Sequence, residues 1–296
     1  MKKNVFMTFR SCLFFILSLL LLSCARTPVS SLNQEGVKPH LPGKFVWYDL
    51  FTNDLSKVAD FYKELFGWEF AGEGFRGNGL KTIRLNGTAI ANAVEVEWPR
   101  HNNNASRWLG YVSVNDVDLT VATVEAFGGK IHTEPKEVPH RGRIAVCIDP
   151  QGAVFAVVRS STGDPVDKAP VKHQLIGSEL WTNDLDAALS FYHAVAGYIE
   201  MPVLMEDGAT YRLLAINGRP RAGMAEIMWE DVHPNWVPYI VVENVEETVK
   251  KAQVLGGKLL LGLRDGAAVG AAAILSDPTG GIFGVQQIWV SDEVQP

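Results

Sequence analysis

The chain has 296 residues, 47% hydrophobic and 20% charged, which suits a folded protein long enough for two domains. A formal net charge of −6 and a pI near 5.7 exclude a nucleic-acid surface built on clustered Lys and Arg. Three scattered cysteines, Cys12, Cys24 and Cys147, exclude a disulfide framework and a Cys-rich metal site.

The opening "MKKNVFMTFR" carries Lys2, Lys3 and Arg10 and no acid. The apolar run from Cys12 to Leu22 is too short to span a bilayer and suits a signal-peptide core. The following "LLSC" resembles a bacterial lipobox. The resemblance implies that residues 1–23 form a signal peptide and that Cys24 carries lipid. The protein would then be anchored to a membrane of the bacterial cell envelope; Ala25 leaves an outer-membrane destination open. An ordinary secretory signal or an uncleaved anchor is the other reading. Residues 24–43, rich in Pro, Gly and Ser, read as a flexible tether.

From residue 44, "KFVWYDLFT" is a β-rich run, and Asp54 is placed to cap a helix. Val58, Phe61, Tyr62 and Leu65 form a helical stripe, whose aromatics read as core, and Gly67 ends it. Asn86-Gly87 marks a hairpin between two short strands. The pattern restarts at "WLGYVSV", continues as a helix from about Asp116 to Phe127, stops at Gly128-Gly129, and ends in "RIAVCIDPQGAVFAVV". Cys147, inside that run, reads as a buried strand residue. "RSSTGDPVDKAPVK" then reads as a linker.

The second half repeats the first. Asp54 matches Asp184, and Phe61-Tyr62 matches Phe191-Tyr192, at an offset of 130; Asn86-Gly87 matches Asn217-Gly218 at 131. Trp108 matches Trp236, Gly128-Gly129 matches Gly256-Gly257, and Asp149-Pro150 matches Asp277-Pro278, all at 128. So long a period marks tandem domains. The expected division is 44–159 and 173–290, joined by 160–172. Each half reads as βαβββ twice, an α+β class.

"TNDLSKVADFYKELFGW", "WLGYVSVNDVD", "GGK" and "DPQGAVFAV" resemble the vicinal oxygen chelate superfamily of glyoxalase, bleomycin-resistance and extradiol-dioxygenase proteins. "TNDLDAALSFYHAVAGY", "WVPYIVVENVE", "GGK" and "DPTGGIFGV" repeat the signature. The resemblance implies tandem domains, each of two βαβββ modules, with a sheet curled around a cleft in each half.

Metal-dependent relatives would place His, Glu or Gln on inward-facing strand positions. Carried over, those positions hold Trp47, Leu109 and Ala156 in the first half and Gly177, Val237 and Gly284 in the second. None can bind a metal through its side chain. The remaining position falls near Glu95 and Glu226. No metal and no cofactor is therefore expected. The seven histidines show no close ligand spacing.

Side chains alternate along a strand, so Asp49 and Phe51 share the face of Trp47, and Glu179 and Trp181 that of Gly177. Tyr111 and Tyr239 follow Leu109 and Val237. Trp47, Asp49, Tyr111, Glu179, Trp181 and Tyr239 are thus the candidate ligand-binding residues. Asp49 and Glu179 are also candidate catalytic bases, with a structural salt bridge as the other reading. Trp108 and Trp236 rim the clefts or pack beneath them. Arg141 and Arg143 could meet an anion. The reading is an envelope lipoprotein that binds, or also converts, a small molecule in metal-free clefts. The alternatives are a divalent-metal-dependent lyase, isomerase or dioxygenase, and a structural envelope domain with vestigial clefts. The oligomeric state is open.

Overall fold

The computed structural model describes residues 31–32, 38–72, 79–97, 105–201, 211–228, 232–266 and 270–287. The signal segment, Cys24 and the rest of the tether lie outside the described residues.

The first half runs β1 (Phe45–Thr52), α1 (Leu55–Phe66), β2 (Glu69–Ala71), β3 (Leu80–Leu85), β4 (Thr88–Glu95), β5 (Arg107–Ser113), α2 (Val117–Ala126), β6 (Lys130–Val138), β7 (Gly142–Ile148) and β8 (Val154–Ser160). The second half repeats it as β9 (Leu175–Thr182), α3 (Leu185–Ala196), β10 (Ile199–Met201), β11 (Tyr211–Ile216), β12 (Arg219–Glu226), β13 (Asn235–Val242), α4 (Val245–Val254), β14 (Lys258–Gly266), β15 (Gly270–Ser276) and β16 (Ile282–Gln287). Each half is βαβββ twice, as its sequence predicts.

Local chemistry sets the boundaries. Asp54 accepts a hydrogen bond from the Lys57 amide at 3.0 Å, and Asp184 does the same for Ala187. Gly67 ends α1 at φ 71°, a left-handed conformation that suits glycine. Asn86 and Gly87 both have positive φ, as a two-residue hairpin turn of this hand requires, and Asn217-Gly218 copies them.

Each half forms one eight-stranded mixed sheet, in the orders β2-β3-β4-β1-β5-β8-β7-β6 and β10-β11-β12-β9-β13-β16-β15-β14. The strands that open the two modules, β1 and β5, pair antiparallel at the centre. A register slip between Phe45 and Trp47 turns both Val46 and Trp47 to the concave face. β9 slips likewise between Leu175 and Gly177.

One large apolar cluster lies under the helices and runs through both halves. α1 packs against α4, and α2 against α3. Phe283 sits against Phe61, Tyr62 and Phe66; Phe155 sits against Phe191 and Tyr192. Two smaller clusters line the concave faces, one per half.

The described part of the tether is packed where a flexible segment was expected. The Lys38 amide donates to the Thr162 carbonyl at 3.0 Å, and the Leu41 amide to Asp164 at 2.6 Å. His40 Nε2 lies 2.9 Å from the Ser160 carbonyl oxygen, and Leu32 is buried in the first concave cluster. The end of β8 and the residues just after it take these donors, through the Ser160 and Thr162 carbonyls and the Asp164 carboxylate. The segment after β8 is pinned as well. Asp164 accepts from the Ser113 hydroxyl at 2.5 Å. Asp167 meets Lys44 at 3.0 Å, Arg219 at 3.0 Å and Arg221 at 2.8 Å, joining the two halves through one carboxylate.

Candidate functional site

On the first concave face β1 contributes Asp49, which is buried. Its Oδ1 accepts from Trp47 Nε1 and from Asn92 Nδ2, both at 3.0 Å. Its Oδ2 accepts from the Tyr111 hydroxyl at 2.6 Å. Alternation brings Trp47 and Asp49 to one face, and the β1–β5 pairing places Tyr111 beside Trp47. Asn92 comes from β4, level with Asp49 in the parallel pairing.

Arg141 completes the first cluster. It leads into β7, is buried, and its guanidinium carbon stands over the Trp47 ring at 4.1 Å from the centroid. Burial pulls its pKa below the ordinary value, while Asp49 and Tyr111 act to hold the charge on it. Burial, reinforced by Asp49, pushes the Tyr111 phenol well above its usual range. The cluster therefore holds a carboxylate and a guanidinium, with a phenol kept protonated as a donor.

The second concave face has the same plan with smaller parts. Glu179 on β9 is buried; its Oε1 accepts from Trp181 Nε1 at 2.6 Å and from the Tyr239 hydroxyl at 3.1 Å. Gly177 takes the place of Trp47, opposite Tyr239 as Trp47 is opposite Tyr111. Gly223 takes the place of Asn92, level with Glu179. Gly284 takes the place of Ala156, and the Tyr239 ring lies on it, so a Cβ there would stand 2.6 Å from that ring. A Cβ on Gly177 would meet, among the described residues, only the Arg221 carbonyl oxygen, at 3.5 Å.

All six sequence candidates thus sit on the concave faces in two groups of three, each around its own acid. Asn92 was missed. The position assigned near Glu95 is corrected. Val94 lies in the concave cluster and Ala93 in the outer one, so alternation puts Glu95 on the outer face. There it is exposed and accepts from the Leu55 amide of α1 at 3.4 Å. Glu226 is exposed at the matching end of β12. Trp108 and Trp236 belong to the outer core and donate to Tyr62 and Tyr192 at 3.2 and 2.8 Å. Arg143 turns outward to Asp118.

The donor set does not fit a divalent ion. Trp47, Leu109 and Ala156 stand together around Tyr111, and Gly177, Val237 and Gly284 around Tyr239. Among the described residues no group of three His, Cys, Asp or Glu could hold one.

Comparison with known proteins agrees with this architecture. The family description "Glyoxalase/Bleomycin resistance protein/Dioxygenase superfamily" matches residues 44–157. The chain is 31% identical to "Putative glyoxylase CFP32" of Mycobacterium bovis, over 81% of this chain and 92% of that one. It is 31% identical to "Anthracycline biosynthesis protein DauV" of Streptomyces sp., over 83% and 94%. Among solved structures, the Mn(II)-bound glyoxalase from Novosphingobium aromaticivorans superposes with a TM-score of 0.58 at 16% identity, covering 83% of this chain and 82% of that one.

Proposed function

The chain belongs to the Glyoxalase/Bleomycin resistance protein/Dioxygenase superfamily, and from that premise we propose that it binds a small, partly aromatic molecule in the cleft of its second half. Glu179 is the polar anchor, and Trp181 and Tyr239 are the walls. The first cleft is a filled copy in which the chain's own side chains occupy the space.

The exchange of Trp47 for Gly177 supports this reading. At matched places in two copies of one fold, the first half sets an indole and the second sets nothing. Leu32 further fills the first cluster. A concave apolar site with a few convergent polar groups is the usual form of a small-molecule site. The names of the relatives, a glyoxylase and an anthracycline biosynthesis protein, are compatible with a small organic ligand. No step through a metal follows from this donor set.

A thermal-shift screen of small aromatic compounds tests the proposal, run on the wild type and on Val237→Phe. Val237 lies in the second concave cluster, so a larger side chain there fills the cleft. Compounds should stabilise the wild type and lose the effect in the variant. Compounds that stabilise both equally bind elsewhere and overturn the assignment.

The address belongs to the same proposal. Acylation at Cys24 would tie the chain to an envelope membrane. Cys24→Ser should abolish lipid labelling and release the protein; unchanged labelling would refute the anchor.

A further inference from the structure

We propose that β14, the outer strand of the second sheet, is an interface with a second copy of this chain. The two copies of the strand run antiparallel across a two-fold axis at Leu260.

The duplicated halves supply the comparison. β6 ends the first sheet and β14 ends the second, and no described strand pairs with the outer side of either. An open strand edge is a template for another strand, and proteins block it with charge, proline or brevity. β6 reads "KIHTEPKEV": Pro135 breaks the row of backbone donors, and Glu134, Lys136 and Glu137 put charge along it. β14 reads "KLLLGLRDG". At the offset of 128, His132 becomes Leu260, Glu134 becomes Gly262 and Pro135 becomes Leu263. The blocks of the first half are gone from the second. Both strands slip register at the same place, between Ile131 and Thr133 and between Leu259 and Leu261, so the backbones are alike and the side chains differ. Two neighbouring leucines are left in the open, Leu259 at 39% and Leu260 at 49% exposure. The outer strands at the other ends of the sheets, β2 and β10, are three residues long, which is itself a block.

The sequence of β14 selects its own copy as the partner. A strand paired antiparallel with its copy about a two-fold axis is centred on one residue, so each register can be written out. Centred on Leu259, Leu260 faces Lys258. Centred on Leu261, Lys258 faces Arg264, a like charge. Centred on Gly262, Leu259 faces Asp265 and Leu260 faces Arg264. Centred on Leu260, that residue faces itself, Leu259 faces Leu261, and Lys258 faces Gly262. Only this last register sets both exposed leucines against leucine and keeps like charges apart. Such a contact uses the same patch on both copies, so it closes at two and does not grow into a filament.

Cross-linking and sedimentation of the full chain test the contact. Leu260→Cys should give a disulfide-linked dimer on mild oxidation, because the axis sets the two copies of position 260 opposite each other. His132→Cys, its match on β6, should not. The wild type should sediment as a dimer. Leu260→Glu, which sets like charges across the axis, should weaken dimerisation by roughly tenfold or more with an unchanged urea transition. Gly262→Glu should keep the dimer: among the described residues a Cβ there meets nothing within 4 Å, and the new carboxylate faces Lys258 of the second copy. A monomeric wild type, whose β14 edge would then serve a foreign strand or a lipid surface, overturns the proposal. So does a dimer indifferent to Leu260→Glu, or equal cross-linking at positions 132 and 260. Dissociation by Gly262→Glu as complete as by Leu260→Glu overturns the register and the self-pairing that rests on it.

Discussion

Tyr62 and Asp277 lie 215 positions apart in the chain, yet the Tyr62 hydroxyl donates to Asp277 Oδ2 at 3.2 Å in the buried seam between the halves. Tyr192 mirrors the contact, donating to Asp149 Oδ2 at 3.0 Å. Each aspartate also gathers the amides of its own turn: Asp149 those of Gln151, Gly152 and Ala153, and Asp277 those of Thr279 and Gly281. A helix of one half thus completes a turn of the other. Tyr62→Phe and Tyr192→Phe should each cost about 1–3 kcal/mol, because each leaves a buried carboxylate oxygen and an indole N–H without a partner. Urea denaturation should show one transition in both variants. Separate melting of the halves would refute the coupling.

Asp167 is held well below its ordinary pKa, chiefly by Arg221 and then by Lys44. A depressed carboxylate stabilises the fold fully above its unfolded pKa and loses that contribution as the pH falls toward the folded value. Asp167→Asn should cost about 1–2 kcal/mol near neutrality, more than an isolated surface pair because three cations share one carboxylate. The gap between wild type and variant should stay constant down to about 3.8, the ordinary value, and close below it. A gap that widens on acidification would contradict the assignment.

Removing only one charge of the first cleft should be expensive. Asp49→Asn leaves the Arg141 guanidinium buried without its counter-charge, at a cost of about 3–5 kcal/mol. Replacing both, as Asp49→Leu with Arg141→Met, should recover most of that loss, since a well-packed apolar pair can substitute for a buried ion pair. Chemical denaturation of the two variants checks this; a double variant no better than the single one would show that the cluster acts through its hydrogen bonds alone.

Cys147 is wholly buried, and burial pushes its thiol up to about 12. The thiolate is the reactive form, so a folded protein should resist thiol reagents at pH 8 and react on unfolding in urea. Rapid labelling in the absence of urea would place the residue outside the core.

The repeat, the caps and the hairpins were legible because each depends on residues a few positions apart. Asp54 reaches three residues on, and Asn86-Gly87 needs only its own turn. The trios around Asp49 and Glu179 were legible because strand alternation and the duplicated pattern both point to the same face. Arg141 was not assigned to Asp49, because it arrives from the turn between β6 and β7 and no periodicity reports how far a turn folds over a sheet. Glu95 was misplaced for want of parity: only the pairing of β4 with β1 shows that Asn92, not Glu95, stands level with the acid. The grip of Asp167 on both halves joins residues 44, 167, 219 and 221, and such distant pairings leave no mark in local sequence.

The placement of the two aspartate–tyrosine contacts constrains how the duplicate halves can diverge. They lie on the outer faces, where one half reads the other, so a change on one side must be answered across the seam. Among the described residues, each concave cluster draws only on its own half. Side chains there can drift independently, one copy accumulating bulk while the other sheds it, without disturbing the match that keeps the copies together. Trp47 and Gly177 mark the two directions of that drift: a chain that doubled its scaffold gained one surface it had to keep and another it was at liberty to rewrite.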